Sequence, residues 1–66
     1  MIFKINDHVR DVPYHAHGNR YHEDCEEGFV TSMNEHYIFV RFGNKTTSQA
    51  CKSNQLINLS QEHLRT

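Results

Sequence analysis

Tyr37-Ile38-Phe39-Val40-Arg41-Phe42 decides the fold class. Aromatic and β-branched residues dominate this run, and side chains on an extended chain alternate between two faces. It therefore predicts a strand that places Ile38, Val40 and Phe42 in a core and Tyr37, Phe39 and Arg41 on the opposite face. Upstream, Gly28-Phe29-Val30-Thr31-Ser32-Met33 has the same character, and Asn34-Glu35 between the two is a tight-turn signal, so the pair reads as a β-hairpin. Downstream, Gly43-Asn44 supplies a further turn. Thr46-Thr47-Ser48-Gln49-Ala50-Cys51 is extended but only half apolar, as suits an edge strand.

Toward the N-terminus, Asn6-Asp7 reads as a turn feeding a short strand, His8-Val9-Arg10-Asp11-Val12, which Pro13 ends. Toward the C-terminus, Ser53-Asn54-Gln55-Leu56 reads as a single helical or 3₁₀ turn and Ile57-Asn58-Leu59 as a last strand. Residues 60–66 are too short for an isolated helix and read as a frayed C-terminal tail, which leaves one domain over residues 1–59. The expectation is an all-β fold, a small barrel of about five short strands. Between the first two strands lies a long polar loop, Tyr14 to Glu26, without helical or strand periodicity. Loops of about 12–15 residues that lack regular structure are uncommon in compact domains, and when present they are disordered or functional.

With 66 residues, 36% of them apolar, the chain has little core to set against the entropy of ordering its backbone. Residues able to act as a staple therefore gain weight. The net charge is −1, the pI is near 6.6, and the seven basic residues are scattered. This argues against strong nonspecific binding to nucleic acid, which draws on a concentrated basic face. Neither a secretory signal nor an apolar run of membrane-spanning length is present, so a cytoplasmic location without a membrane partner is expected. In a reducing compartment the two cysteines are expected as free thiols or metal ligands rather than a disulfide.

The staple is sought in His15-x-His17-x₄-His22-x₂-Cys25, with Cys51 on a distant strand. Zinc prefers four tetrahedral nitrogen and sulfur donors, and two ligands separated by two residues can turn the backbone around the ion. The expected quartet is His15, His22, Cys25 and Cys51. His17 is a substitute ligand, because residues two apart on an extended segment point the same way. Glu23, Asp24, Glu26 and Glu27 are candidates to orient the imidazoles and favour a cation. Two bland readings stand beside this one: histidines on a solvated loop with both thiols buried as small apolar groups, and a Cys25–Cys51 disulfide. His15-x-His17 lacks the further ligands of a metallohydrolase, and His22-x-x-Cys25 lacks the zinc deaminase pattern. No catalytic residue is expected, and the alternative to a binding module is a minimal zinc metalloenzyme with an open coordination position.

The order Lys4-Ile5-Asn6-Asp7-His8-Val9, Glu27-Gly28-Phe29-Val30 and Ile38-Phe39-Val40-Arg41-Phe42 resembles SH3-like barrels of the KOW and Tudor type. His15-Ala16-His17-Gly18, His22-Glu23-Asp24-Cys25-Glu26-Glu27-Gly28, Phe39-Val40-Arg41-Phe42 and Ala50-Cys51 together resemble short uncharacterised proteins of bacteriophages and prophages. The resemblance spans residues 4–59. It implies an SH3-like barrel in the cytoplasm of a bacterial host, binding a host or phage protein, or weakly a nucleic acid, through a barrel face. The side chains available for that are Tyr14, Tyr21, Phe29, Tyr37, Phe39 and Arg41. SH3-like barrels host unrelated functions, so the fold alone selects none of them, and the oligomeric state stays open.

Overall fold

The computed structural model describes residues 2–64, and side chains for residues 2–61. Five antiparallel strands, β1 (His8–Asp11), β2 (Glu26–Met33), β3 (Ile38–Phe42), β4 (Gln49–Cys51) and β5 (Leu56–Asn58), form one curled sheet in the order β4-β3-β2-β1-β5. This is the small all-β, five-stranded arrangement expected, curled as a half-barrel, with the long connection between β1 and β2 and with β4 at an edge. β5 forms the other edge.

The period-two pattern of β3 sets the core. Ile38, Val40 and Phe42 are buried, whereas Phe39 is half-buried and Arg41 exposed. Val9 of β1, Val30 of β2, Cys51 of β4 and Leu56 of β5 meet them on the concave side, with Phe3 closing one end. Burial of side chains of this size contributes roughly 1.5–3 kcal/mol each. β2 and β3 pair from Gly28↔Phe42 to Val30↔Val40, and then a bulge at Thr31 shifts the register to Ser32↔Phe39. The Thr31 hydroxyl donates to the Phe39 carbonyl at 3.2 Å and shares a 2.6 Å hydrogen bond with the Ser48 hydroxyl, so the extra residue ties the bend toward β4.

The turns follow their residues. Asn34 caps the β2–β3 connection, its side-chain oxygen accepting the backbone N–H groups of His36 and Tyr37, both at 2.8 Å. Gly43 takes a left-handed conformation, φ 51°, which glycine adopts without a Cβ penalty. Asn6 is also left-handed, and Asp7 beside it accepts Lys4 N–H at 2.9 Å and the Asn58 side-chain amide at 2.8 Å. Asn58 is fully buried, and its amide also reaches the Ile2 carbonyl, so it pins the N-terminal segment across β5.

The C-terminal segment departs from the expected tail. Leu59–Leu64 is a helix, α1, joined directly to β5. The Ser60 hydroxyl accepts His8 N–H at 2.9 Å, and Asn58 Oδ1 accepts Gln61 N–H at 3.1 Å. These contacts with β1 and β5 replace the length that an isolated helix would need. Arg65 and Thr66 lie outside the described residues.

Candidate metal centre

The segment between β1 and β2 is built from successive reverse turns. Backbone N–H groups of Ala16, His17, Asn19, His22 and Cys25 each donate to the carbonyl three residues back, at 2.9–3.1 Å. The first of these turns is a short 3₁₀ helix, Tyr14–Ala16, preceded by Pro13, whose fixed φ suits a helix start. Ala16 is buried and holds this turn against the barrel. Further on, the Arg10 guanidinium donates to the Arg20 carbonyl at 3.0 Å, which fastens the middle of the loop to β1.

These turns bring His15, His22 and Asp24 together, each offering a ligand atom within 4.8 Å of the others. His15 Nε2 lies 2.7 Å from Asp24 Oδ2, and the His15 and His22 rings meet edge to face with centroids 5.3 Å apart. Asp24 N–H donates to His22 Nδ1 at 3.0 Å. Zinc bonds to imidazole of about 2.0–2.1 Å put tetrahedral ligand atoms roughly 3.3 Å apart. The observed spread, from 2.7 Å for His15–Asp24 to at most 4.8 Å, brackets that spacing. The group could therefore hold a metal ion. His15, His22 and Asp24 would hold such an ion through imidazole nitrogens and a carboxylate oxygen, each in its deprotonated form.

The two cysteines stand outside this group. Cys51 pairs with Ile38 across β3 and β4 and turns its side chain into the apolar core. Burial pushes its thiol up to about 11, helped by the nearby charges of Asp11 and Glu26, so the thiolate that a metal requires is disfavoured. Cys25, half-buried, directs its thiol to the Asn19 carbonyl at 3.5 Å. Both cysteines are free, and no disulfide joins them. His17 is not in the group either. Residues two apart point the same way only on an extended segment, but residues 14–16 form a 3₁₀ turn that His17 ends in a left-handed conformation, φ 51°. Its ring therefore departs from that of His15 and borders a cleft on the other side of the turn.

Asp24 is the member that sequence reasoning assigned a supporting role. The preference of zinc for sulfur drew attention to Cys25, although a carboxylate oxygen is also an ordinary zinc donor. The spacing His22-x-Asp24 carried the signal, because it lets the Asp24 backbone N–H meet the imidazole two residues back.

Among the partner-binding candidates, Tyr14 and Tyr21 are 87% and 81% exposed, and each immediately precedes a histidine of the group. Tyr37 and Arg41 are also exposed. Phe29 is half-exposed and stacks on His8, with ring centroids 5.0 Å apart. Among the described residues, no helix is long and apolar enough to cross a membrane. The chain matches no family model, no curated protein and no solved structure.

Proposed function

We propose that this protein is a small non-enzymatic binding module in which a zinc ion, held by His15, His22 and Asp24, clips the loop between β1 and β2 into a fixed shape. The observation that carries the reading is the convergence of two imidazoles and a carboxylate from a loop with little apolar anchorage. An ion that binds only the closed arrangement of these side chains would order such a loop by mass action. Clipping it fixes the backbone that displays Tyr14 and Tyr21, so the ion serves the binding surface rather than a reaction.

A host or phage protein in the bacterial cytoplasm is the partner that this reading favours. The free cysteines accord with a reducing compartment. The net charge of −1 disfavours nucleic acid. Three protein donors leave a coordination position for water, the chemistry that a minimal zinc enzyme would need. His15 and Asp24 are more than half exposed, however, and such an environment does not exclude water in the way catalytic electrostatics requires.

Elemental analysis of the purified protein is expected to give about one zinc per chain. His22→Ala and Asp24→Asn should each lower that content, while Cys51→Ser should leave it unchanged. Cobalt substitution separates the competing ligand sets, since thiolate ligation adds intense near-ultraviolet charge-transfer bands that imidazole and carboxylate ligation does not. Wild-type protein without bound zinc, or a cobalt form dominated by thiolate bands, would overturn the assignment.

A further inference from the structure

The 3₁₀ turn Tyr14–Ala16 has two sides. His15 faces the metal group, while Tyr14 and the following His17 border a cleft of about 680 Å³ opposite the segment from Lys52 to Ile57. Val12, Leu56 and Ile57 supply its apolar lining. Lys52 and His17 are the basic groups along it, and no aspartate or glutamate lines it. Lys52 is exposed and has no ion-pair partner among the described residues. The cleft is thus a basic, partly apolar spot on a molecule with a net charge of −1.

Leu56 and Ile57 of β5 line the cleft, and β5 ends the strand order of the sheet, so among the described residues this strand has a partner strand on one edge alone. An unpaired edge offers backbone N–H and C=O groups to an extended chain. We infer that this cleft is the docking site of an extended peptide segment carrying aliphatic side chains and carboxylates, the carboxylates set against Lys52 and the aliphatic groups against Val12 and Ile57. Alternation of the two side-chain types along the peptide matches a strand laid on β5, with one face on the apolar lining and the other toward Lys52. The inference deepens the reading as a binding module by naming the partner's chemistry, and its site is separate from the metal group.

The test is fluorescence anisotropy on the full chain with a short fluorescein-labelled peptide alternating glutamate and valine, beside a copy with glutamine in place of every glutamate. The acidic peptide should bind more tightly than its glutamine copy, and Lys52→Glu should weaken it by on the order of tenfold, because like charges then face each other. Tyr14→Ala should weaken both peptides. Tyr14 and Lys52 are exposed, so both variants should retain the wild-type circular dichroism. Equal binding of the two peptides, unchanged affinity in Lys52→Glu, or tighter binding of single-stranded oligodeoxythymidine than of the acidic peptide would each overturn the inference. Zinc content measured on the same preparation keeps the two conclusions apart. A zinc-loaded chain that ignores the peptide sinks the cleft alone, and a zinc-free chain that binds it sinks the metal clip alone.

Discussion

Gly28 shows how tightly a single residue can be constrained in so small a barrel. A Cβ built at this position would lie 2.4 Å from the Arg41 carbonyl oxygen and 2.9 Å from both its carbon and Val40 Cγ1. Two of those three neighbours belong to the backbone of β3, which is held in register by Gly28↔Phe42 and Phe29↔Arg41 and cannot retreat without loosening the hairpin. Overpacking of this kind costs about 3 kcal/mol, a large share of what a domain of this size commands. Gly28→Ala is therefore expected to lower the urea midpoint sharply or to leave the chain unfolded, read by circular dichroism, whereas Gly18→Ala meets no atom within 4 Å and bears only the strain of its φ of 80°. Equal midpoints for the Gly28→Ala protein and the parent would show that the strands can part more easily than this packing indicates. The same scale explains Cys51. Its position on β4 opposite Ile38 makes it a small apolar filler, a role that periodicity alone could not separate from that of a ligand.

At the scale of elements, β1 and β2 are joined on their outer face by a charged cross-strand set. Arg10 stands opposite Glu27 in the register and donates to its carboxylate, and His8 Nε2 lies 3.0 Å from the other carboxylate oxygen. The Arg10 hydrogen bond holds the Glu27 carboxyl below its ordinary value, with partial desolvation opposing and the charges of Arg10 and His8 assisting. A carboxylate depressed in the folded state contributes stability that is fully present above its unfolded value, about 4.3, and is lost as pH falls through the lower folded value. Glu27→Gln should therefore flatten the pH dependence of stability below about pH 4.5, measured by urea titration at successive pH values. A parent and variant with parallel profiles in that range would show that the set contributes nothing. Elements were the most legible level of the sequence. The strands β2 and β3, their inward residues and the edge position of β4 follow from alternation and turn chemistry. What stayed hidden depends on contacts between distant segments: the docking of α1 through Ser60 and Asn58, the 3₁₀ turn at Tyr14 that separates His15 from His17, and the approach of Asp24 rather than of a cysteine to His15 and His22.

For the whole molecule, the question is what holds a long polar segment against so small a core. The apolar cluster is contributed by the strands and Phe3, and the loop adds only the separately buried Ala16. The interactions that hold the rest of the loop include its own turns, the Arg10 bond to the Arg20 carbonyl and the His15–Asp24 pair, each of which water can compete for. Such a segment opens at low free energy unless something binds its closed form. An ion that binds only the folded arrangement stabilises the chain by about 2.7 kcal/mol when its free concentration is a hundredfold above the dissociation constant. For a domain of this length, that corresponds to an upward shift of the melting temperature on the order of 10 °C. Thermal unfolding followed by circular dichroism, in buffered zinc and then in excess chelator, should show this shift in the parent and lose it in His15→Ala. Acidification should remove it as well, since imidazole must shed its proton to bind the ion. If chelator leaves the parent's melting temperature where zinc had set it, the loop is held by its turns alone and no ion contributes to the fold.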